Sequence, residues 1–327
     1  MENRSYVSDI LVLEELGHYE SFADAVFYTL LFAYIALLIT NFGVLVIIIR
    51  EKSLHQPMYL LFCNLTVNDI LGNTVILPQL LFDMVAKNRL ISYNACVSQI
   101  FFTHTFASAS HTILIIMAID RYVAICNPLR YNSIMTAKAV AVLTVSAWSF
   151  VIVLVGVLVG LTTRLSRCRS LIPNFYCDNA SLFKLSCEDV SINNIYGLFY
   201  TVVLFSSSMG TVAVTYIRIG ITCWTKKNAE LNSKAIQTCT SHLVLYLILL
   251  LSGFIIIIMH RFPEDRFLRK LMAIIFLVIP AHLNPIIYGL QTKHLRLKIL
   301  QIFKRKIFPF KLSYLVIKLL NANGIVM

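Results

Sequence analysis

Asp120-Arg121-Tyr122 sets a carboxylate beside a guanidinium at the inner end of a long apolar run that begins near Cys96. An acid and a base at the boundary of an apolar helix are costly to keep unless they serve a function. They point to signalling rather than to catalysis. The outer half of the same run carries Thr103, His104, Ser108 and His111. His104, Ser108 and His111 fall at i, i+4 and i+7, one face of a helix, which would look into a bundle. Two histidines without a nearby carboxylate read as hydrogen-bonding pocket residues rather than a metal site. His104 with Ser108 lacks the third, orienting group that an activated nucleophile needs. No metal, cofactor or enzymatic activity is expected.

Asp69 is the one acid deep inside an apolar segment, and ionising it in hydrocarbon costs several kcal/mol unless partners are at hand. It must face other protein. Asn41, Ser110 and Asn284 are the candidate partners at similar depth. Such a cluster can bind a small cation, hold water or tie helices together. Pro285 follows Asn284, Pro280 precedes both by about one turn, and Tyr288 lies one turn below. Proline deletes a helix hydrogen bond, so this segment is where a helix can bend.

The elements that must position these groups are membrane helices. Of 327 residues, 58% are hydrophobic and 13% charged, about half the charged share of a soluble domain. Seven apolar stretches approach the ~20 residues that span a bilayer, near 25–49, 58–84, 96–121, 139–161, 194–218, 239–260 and 270–290. The expected class is therefore an all-α, integral-membrane bundle of seven transmembrane helices. Residues 1–24 form an N-terminal segment, 25–290 the bundle, and 291–327 an amphipathic helix and tail.

The net charge of +12 falls almost wholly on the segments that are inner if the N-terminus is outside. Basic loops resist translocation, so the N-terminus is expected to be extracellular and the tail cytoplasmic. The charge thus reflects topology, not nucleic-acid binding. Residues 1–24 lack a basic-then-apolar leader, which leaves the first membrane helix as the targeting signal. Asn3-Arg4-Ser5 and Asn179-Ala180-Ser181 are glycosylation sequons in outer segments. From Lys293 to Phe308, basic and apolar residues interleave as in an interfacial helix that favours anionic lipid.

Cys96, Cys168, Cys177 and Cys187 fall on the outer, oxidising side, whereas Cys63, Cys126, Cys223 and Cys239 lie in helices or on the inner side. Four outer cysteines allow three pairings, and spacing does not choose among them.

These features meet in one family. The chain resembles class A, rhodopsin-like G-protein-coupled receptors through Asp69, Asp120-Arg121-Tyr122, Cys96 with Cys177, and Asn284-Pro285-Ile286-Ile287-Tyr288. Within them it is similar to the odorant receptors. That narrower likeness rests on Pro57-Met58-Tyr59, on Met117-Ala118-Ile119 running through Asp120 to Cys126, on Lys234-Ala235 leading to Cys239 and Ser241-His242-Leu243, and on the extra cysteines Cys168 and Cys187. The stretch from Asn174 to Cys187 looks most like fish receptors.

The resemblance implies bridges from Cys96 to Cys177 and from Cys168 to Cys187. It implies an odorant pocket formed by Thr103, His104, Ala107 and Ser108, by Tyr200 and Leu204, by Gly253, Phe254 and Ile257, and by Ile274 and Leu277. It also implies a G protein, usually of the stimulatory kind that raises cyclic AMP, engaging Arg121 once the sixth membrane helix swings outward; Asp120 restrains Arg121 at rest. Asn41, Asp69, Ser110, Asn284, Pro285 and Tyr288 form the expected activation core. The chain departs from many odorant receptors in having Ser110 in place of an acid and Leu250 in place of a tyrosine. A class A receptor for a peptide or lipid would carry Trp and Pro in the sixth helix, both absent here. A transporter would show inverted repeats, and none is found.

Overall fold

The computed structural model describes residues 9–14, 23–86, 89–226, 229–261, 266–291 and 296. Asn3 and, apart from Arg296, the basic segment from Lys293 to Phe308 lie outside them. The described helices are α1 (Ala23–Arg50), α2 (Pro57–Ala86), α3 (Tyr93–Cys126), α4 (Tyr131–Ile134), α5 (Ala137–Thr163), α6 (Asn179–Phe183), α7 (Ser191–Lys226), α8 (Ala229–Arg261) and α9 (Arg266–Gln291). All but the short α4 and α6 are long and apolar enough to cross a membrane, which gives the seven expected spans.

Most spanning helices outrun the apolar stretches that announce them. The hydrocarbon core limits where charge is tolerated, but backbone hydrogen bonding carries the helix on into water. At 36 residues, α7 is about 54 Å long, well beyond the ~30 Å core. Several starts are set by side-chain caps. The Ser92 hydroxyl accepts from the Ala95 amide at 3.3 Å and opens α3, and Thr136 accepts from Ala139 at 3.1 Å and opens α5.

α3 is the centre of the bundle and packs against α2, α5, α7 and α8. α5 buries little of itself and turns Val142, Val145, Val153 and Val157 outward. Apolar side chains on an outer face suit lipid, where the backbone must satisfy itself within the helix. Gly72 marks the closest approach of α2 to α3, since a Cβ there would meet Phe106 at 3.2 Å.

A small sheet caps one end of the bundle. β1 (Ile10–Leu13) lies between β2 (Leu90–Ser92), antiparallel to it, and β3 (Leu171–Ile172), parallel to it. Leu11 and Leu13 alternate inward and pack with Ile91, Ile100 and Ile172. The N-terminal segment is thereby built into the roof of the bundle. Glu14 strengthens the link by pairing with the buried Lys270 of α9 at 3.1 Å.

Candidate functional site

The structure joins Cys96 to Cys177 and Cys168 to Cys187. The first bridge ties the segment after β3 to the top of α3. Gln99, one turn below Cys96, uses both ends of its amide: its carbonyl accepts from the Cys177 amide at 2.8 Å, and its NH2 donates to the Val75 carbonyl at 3.2 Å. Asp178 caps α6 by accepting from the Ser181 amide at 2.9 Å. Burial and the neighbouring Asp178 raise the ionisation range of Tyr176, so it stays a neutral phenol.

Beneath this roof lies a cavity of about 320 Å³ between α2, α3, α7, α8 and α9. Thr103, His104, Ala107, Ser108, Tyr200, Leu204, Gly253, Ile257 and Leu277 all line it. Ser108 and Tyr200 are hydrogen-bonded to each other, joining α3 to α7. Gly253 keeps the wall thin, because a Cβ there would stand 3.3 Å from Phe205 and 3.5 Å from Phe276. Two expected wall residues lie elsewhere. Phe254 is 51% exposed on the outer side of α8, about 100° around the helix from Gly253, with its ring edge-on to Phe205. Ile274 packs into the apolar cluster that holds Leu30 and Ile76.

Sequence reasoning missed Asn68, Asn73, Asn193 and Phe205, which also line the cavity. Asn73 stands four residues after Asp69, on the same helical face, and that spacing was the available signal. Nothing local marked Asn193.

The polar core below the cavity differs in its pairings from those expected. Of the three candidate partners, only Asn284 reaches Asp69, donating to its carboxylate at 2.7 Å. Ser110 accepts from Asn68 at 2.8 Å, and Asn41 donates to the carbonyls of Leu37 and Ala281. The last contact has a clear cause. Pro285 has no N–H to give the carbonyl four residues back, which is Ala281. Asn41 supplies the missing donor at 3.1 Å and ties α1 to the proline-bearing stretch of α9. The Tyr288 side chain lies outside the described residues.

At the opposite end of α3, Arg121 donates to Asp120 through Nη2 at 2.5 Å and through Nε at 3.1 Å. Tyr131 of α4, not foreseen, donates to the other carboxylate oxygen at 2.7 Å. Burial and the adjacent Asp120 push the Tyr131 phenol up, which keeps this donor protonated. Tyr122 packs among Ile125, Ile219 and Cys239.

Higher on α8, His242 Nε2 lies 3.0 Å from the Leu114 carbonyl, which can only accept, so Nε2 carries the proton. Nδ1 then accepts from Tyr216 at 2.8 Å. One buried imidazole thus links α3, α7 and α8. Replacing His242 with Phe removes both hydrogen bonds and is expected to lower the stability of the bundle by about 1–3 kcal/mol; a thermal-denaturation midpoint of the detergent-purified protein equal to wild type counts against the link.

The sequence matches the olfactory receptor family over residues 30–306. It is 33% identical over 269 residues to Olfactory receptor 52N2 of Homo sapiens, covering 81% of this chain and 84% of that protein. It is 34% identical to Olfactory receptor 52K1 of Homo sapiens over 278 residues, covering 84% of this chain and 88% of that protein. The chain belongs to the olfactory receptor family. Members are receptors, not enzymes, and this olfactory receptor is a multi-pass membrane protein of the G-protein-coupled class.

Asn179, one of the two expected glycosylation sites, is buried and accepts from Thr162 at 2.7 Å. A glycan on Nδ2 would have to push apart the packing that buries this side chain. Asn179→Gln is accordingly expected to leave the electrophoretic mobility of the mature receptor unchanged, whereas Asn3→Gln increases it. A mobility shift from the Asn179 variant would reverse this assignment.

Proposed function

We propose that this olfactory receptor binds a small odorant in the cavity beneath the disulfide-tethered roof and passes the signal to a stimulatory G protein that raises cyclic AMP. The observation that carries the reading is the pairing of two separate sites: a roofed, mostly apolar cavity at one end of α3 and the Asp120–Arg121–Tyr131 cluster at the other. Small-molecule pockets have this character, apolar walls with a few placed polar groups.

In this reading Thr103, His104, Ala107, Ser108, Tyr200, Leu204, Gly253, Ile257 and Leu277 contact the odorant, while Arg121 meets the G protein. Asp69, Asn284, Asn41 and Pro285 form the bendable core between them. Ligand preference for an open state of α8 shifts its population, and a few kcal/mol suffice. The N-terminus is extracellular and the tail cytoplasmic, in keeping with the placement of Lys and Arg. The interleaving of basic and apolar residues from Lys293 to Phe308 supports anionic lipid as a further partner. The finer likeness to fish receptors rests on the stretch from Asn174 to Cys187 alone, and the relatives named above, both human, lend it no support.

The test is a cyclic-AMP reporter screen of the surface-expressed receptor against water-soluble and volatile odorant classes, with an N-terminal epitope read in intact cells. At least one class is expected to raise cyclic AMP. A receptor that reaches the surface and answers none of them, or an epitope hidden until the cells are permeabilised, would count against the reading.

A further inference from the structure

Three asparagines in the cavity wall have their orientation dictated by fixed partners. Asn68 Nδ2 donates to the Phe106 carbonyl at 3.1 Å, and Asn73 Nδ2 donates to the Asp69 backbone carbonyl at 3.0 Å. A backbone carbonyl can only accept, so in both residues the amide oxygen is the end left over. Asn193 is held less directly. The single hydroxyl proton of Thr162 goes to Asn179 at 2.7 Å or to the Leu158 carbonyl at 3.2 Å. Thr162 can therefore only accept from Asn193 Nδ2, at 3.2 Å, which again leaves the amide oxygen over. All three oxygens are buried and have no donor among the described residues, and the three asparagines belong to the cavity wall.

These acceptors sit on two flanks. Asn68 and Asn73 belong to α2 and Asn193 to α7, and both helices pack on α3. Leu204, Phe205, Ile257 and Phe276 make the wall between them apolar. Thr103 and His111 also carry buried polar atoms without a partner among the described residues, but each can donate or accept, so the amides set the demand.

We propose that the cavity selects neutral odorants carrying hydrogen-bond donors, above all hydroxyl groups at both ends of an apolar body, over acceptor-only and anionic molecules of the same shape. This inference rests on the odorant-site reading above. A buried acceptor left without a donor is penalised, and a site built for a hydroxyl discriminates strongly against an analogue lacking it. A carboxylate would face three carbonyl oxygens and Asp69. The one Lys or Arg in the described wall, Lys184, is exposed at the rim. An ammonium beside Asp69 would still pay the desolvation of a charged group in a mostly apolar cavity, which a diol does not.

The experiment measures dose-response of the full-length receptor to hexyl, octyl and decyl series, each as terminal diol, primary alcohol, aldehyde, carboxylate and amine. Diols are expected to act at concentrations at least about tenfold below those of aldehydes and carboxylates of equal length, with alcohols between. In Asn193→Leu, verified by surface labelling, the advantage of diol over alcohol is expected to vanish.

Aldehydes as potent as diols would mean that water, not ligand, serves these oxygens, and would overturn the inference. So would a carboxylate or amine that outperforms the alcohol. An agonist from the wider odorant screen that has no hydrogen-bond donor refutes the inference while leaving the receptor reading intact. Surface receptor that answers nothing in either set overturns both.

Discussion

Arg121→Ala is expected to abolish the odorant-evoked cyclic-AMP response. The Asp120 carboxylate is buried and fully engaged, with one oxygen held by Arg121 and the other by Tyr131. Removing the guanidinium takes away the group proposed to meet the G protein and also strips a buried carboxylate of its cation. The second effect can cost ~3–5 kcal/mol and could lower receptor abundance by itself. The Asp120→Asn, Arg121→Ala double variant separates the two effects, because it removes the stranded charge. Its surface level is expected to match wild type while its response stays absent. Asp120→Asn alone leaves Arg121 without its carboxylate partner, and basal signalling is expected to rise several-fold. An undiminished response from the double variant would remove Arg121 from the coupling role.

Cys177→Ser is expected to have the largest effect on the receptor's existence at the surface. The bridge to Cys96 closes a sequence separation of 81 residues, and chain entropy values such a closure at about 4 kcal/mol. Both sulfurs are buried beside Leu11, Ile91, Ile100 and Ile172, so the same substitution also places a hydroxyl in the apolar cluster under the roof. Losing the bridge frees the segment from Phe175 to Lys184, which supplies one side of the cavity. Surface labelling of intact cells is expected to fall at least tenfold, with the remaining receptor unresponsive. Cys168→Ser, which opens a separation of only 19 residues at the exposed edge of the loop, should cost less. Equal losses in the two variants would show that neither the longer closure nor the roof over α3 sets the Cys96–Cys177 bridge apart.

The seven membrane helices were legible from the chain because hydrocarbon enforces a local rule: about twenty residues must each be cheap to remove from water. Their ends were not, since helix propagation past the membrane depends on caps such as Ser92 and Thr136 and on tertiary contacts. The charged inner triplet was equally visible, because a pair as costly as Asp120 with Arg121 stands out against apolar neighbours. The other partner of the Asp120 carboxylate, Tyr131, was not, for it arrives on a separate helix eleven residues later.

The polar core shows where the local rule stops. Residue type alone nominated Asn41, Ser110 and Asn284 for Asp69, and all three are polar at similar depth. Which one meets the carboxylate depends on how α1, α3 and α9 are rotated about their axes, and rotation comes from packing. Asn41 turns instead to the carbonyl that Pro285 leaves open, a need created within another helix 240 residues away.

By itself the sequence determined the membrane class, the number of spans and the clustering of positive charge in alternate loops, because each is a sum over neighbouring residues. Only the tertiary structure decided that the N-terminal strand joins the roof, that Phe254 and Ile274 leave the cavity wall, and that Asn68, Asn73 and Asn193 belong to it with their amide oxygens left over. Those outcomes hang on directions rather than sums. A side chain's partner is set by the angle at which its helix presents it, and that angle is a property of the whole bundle.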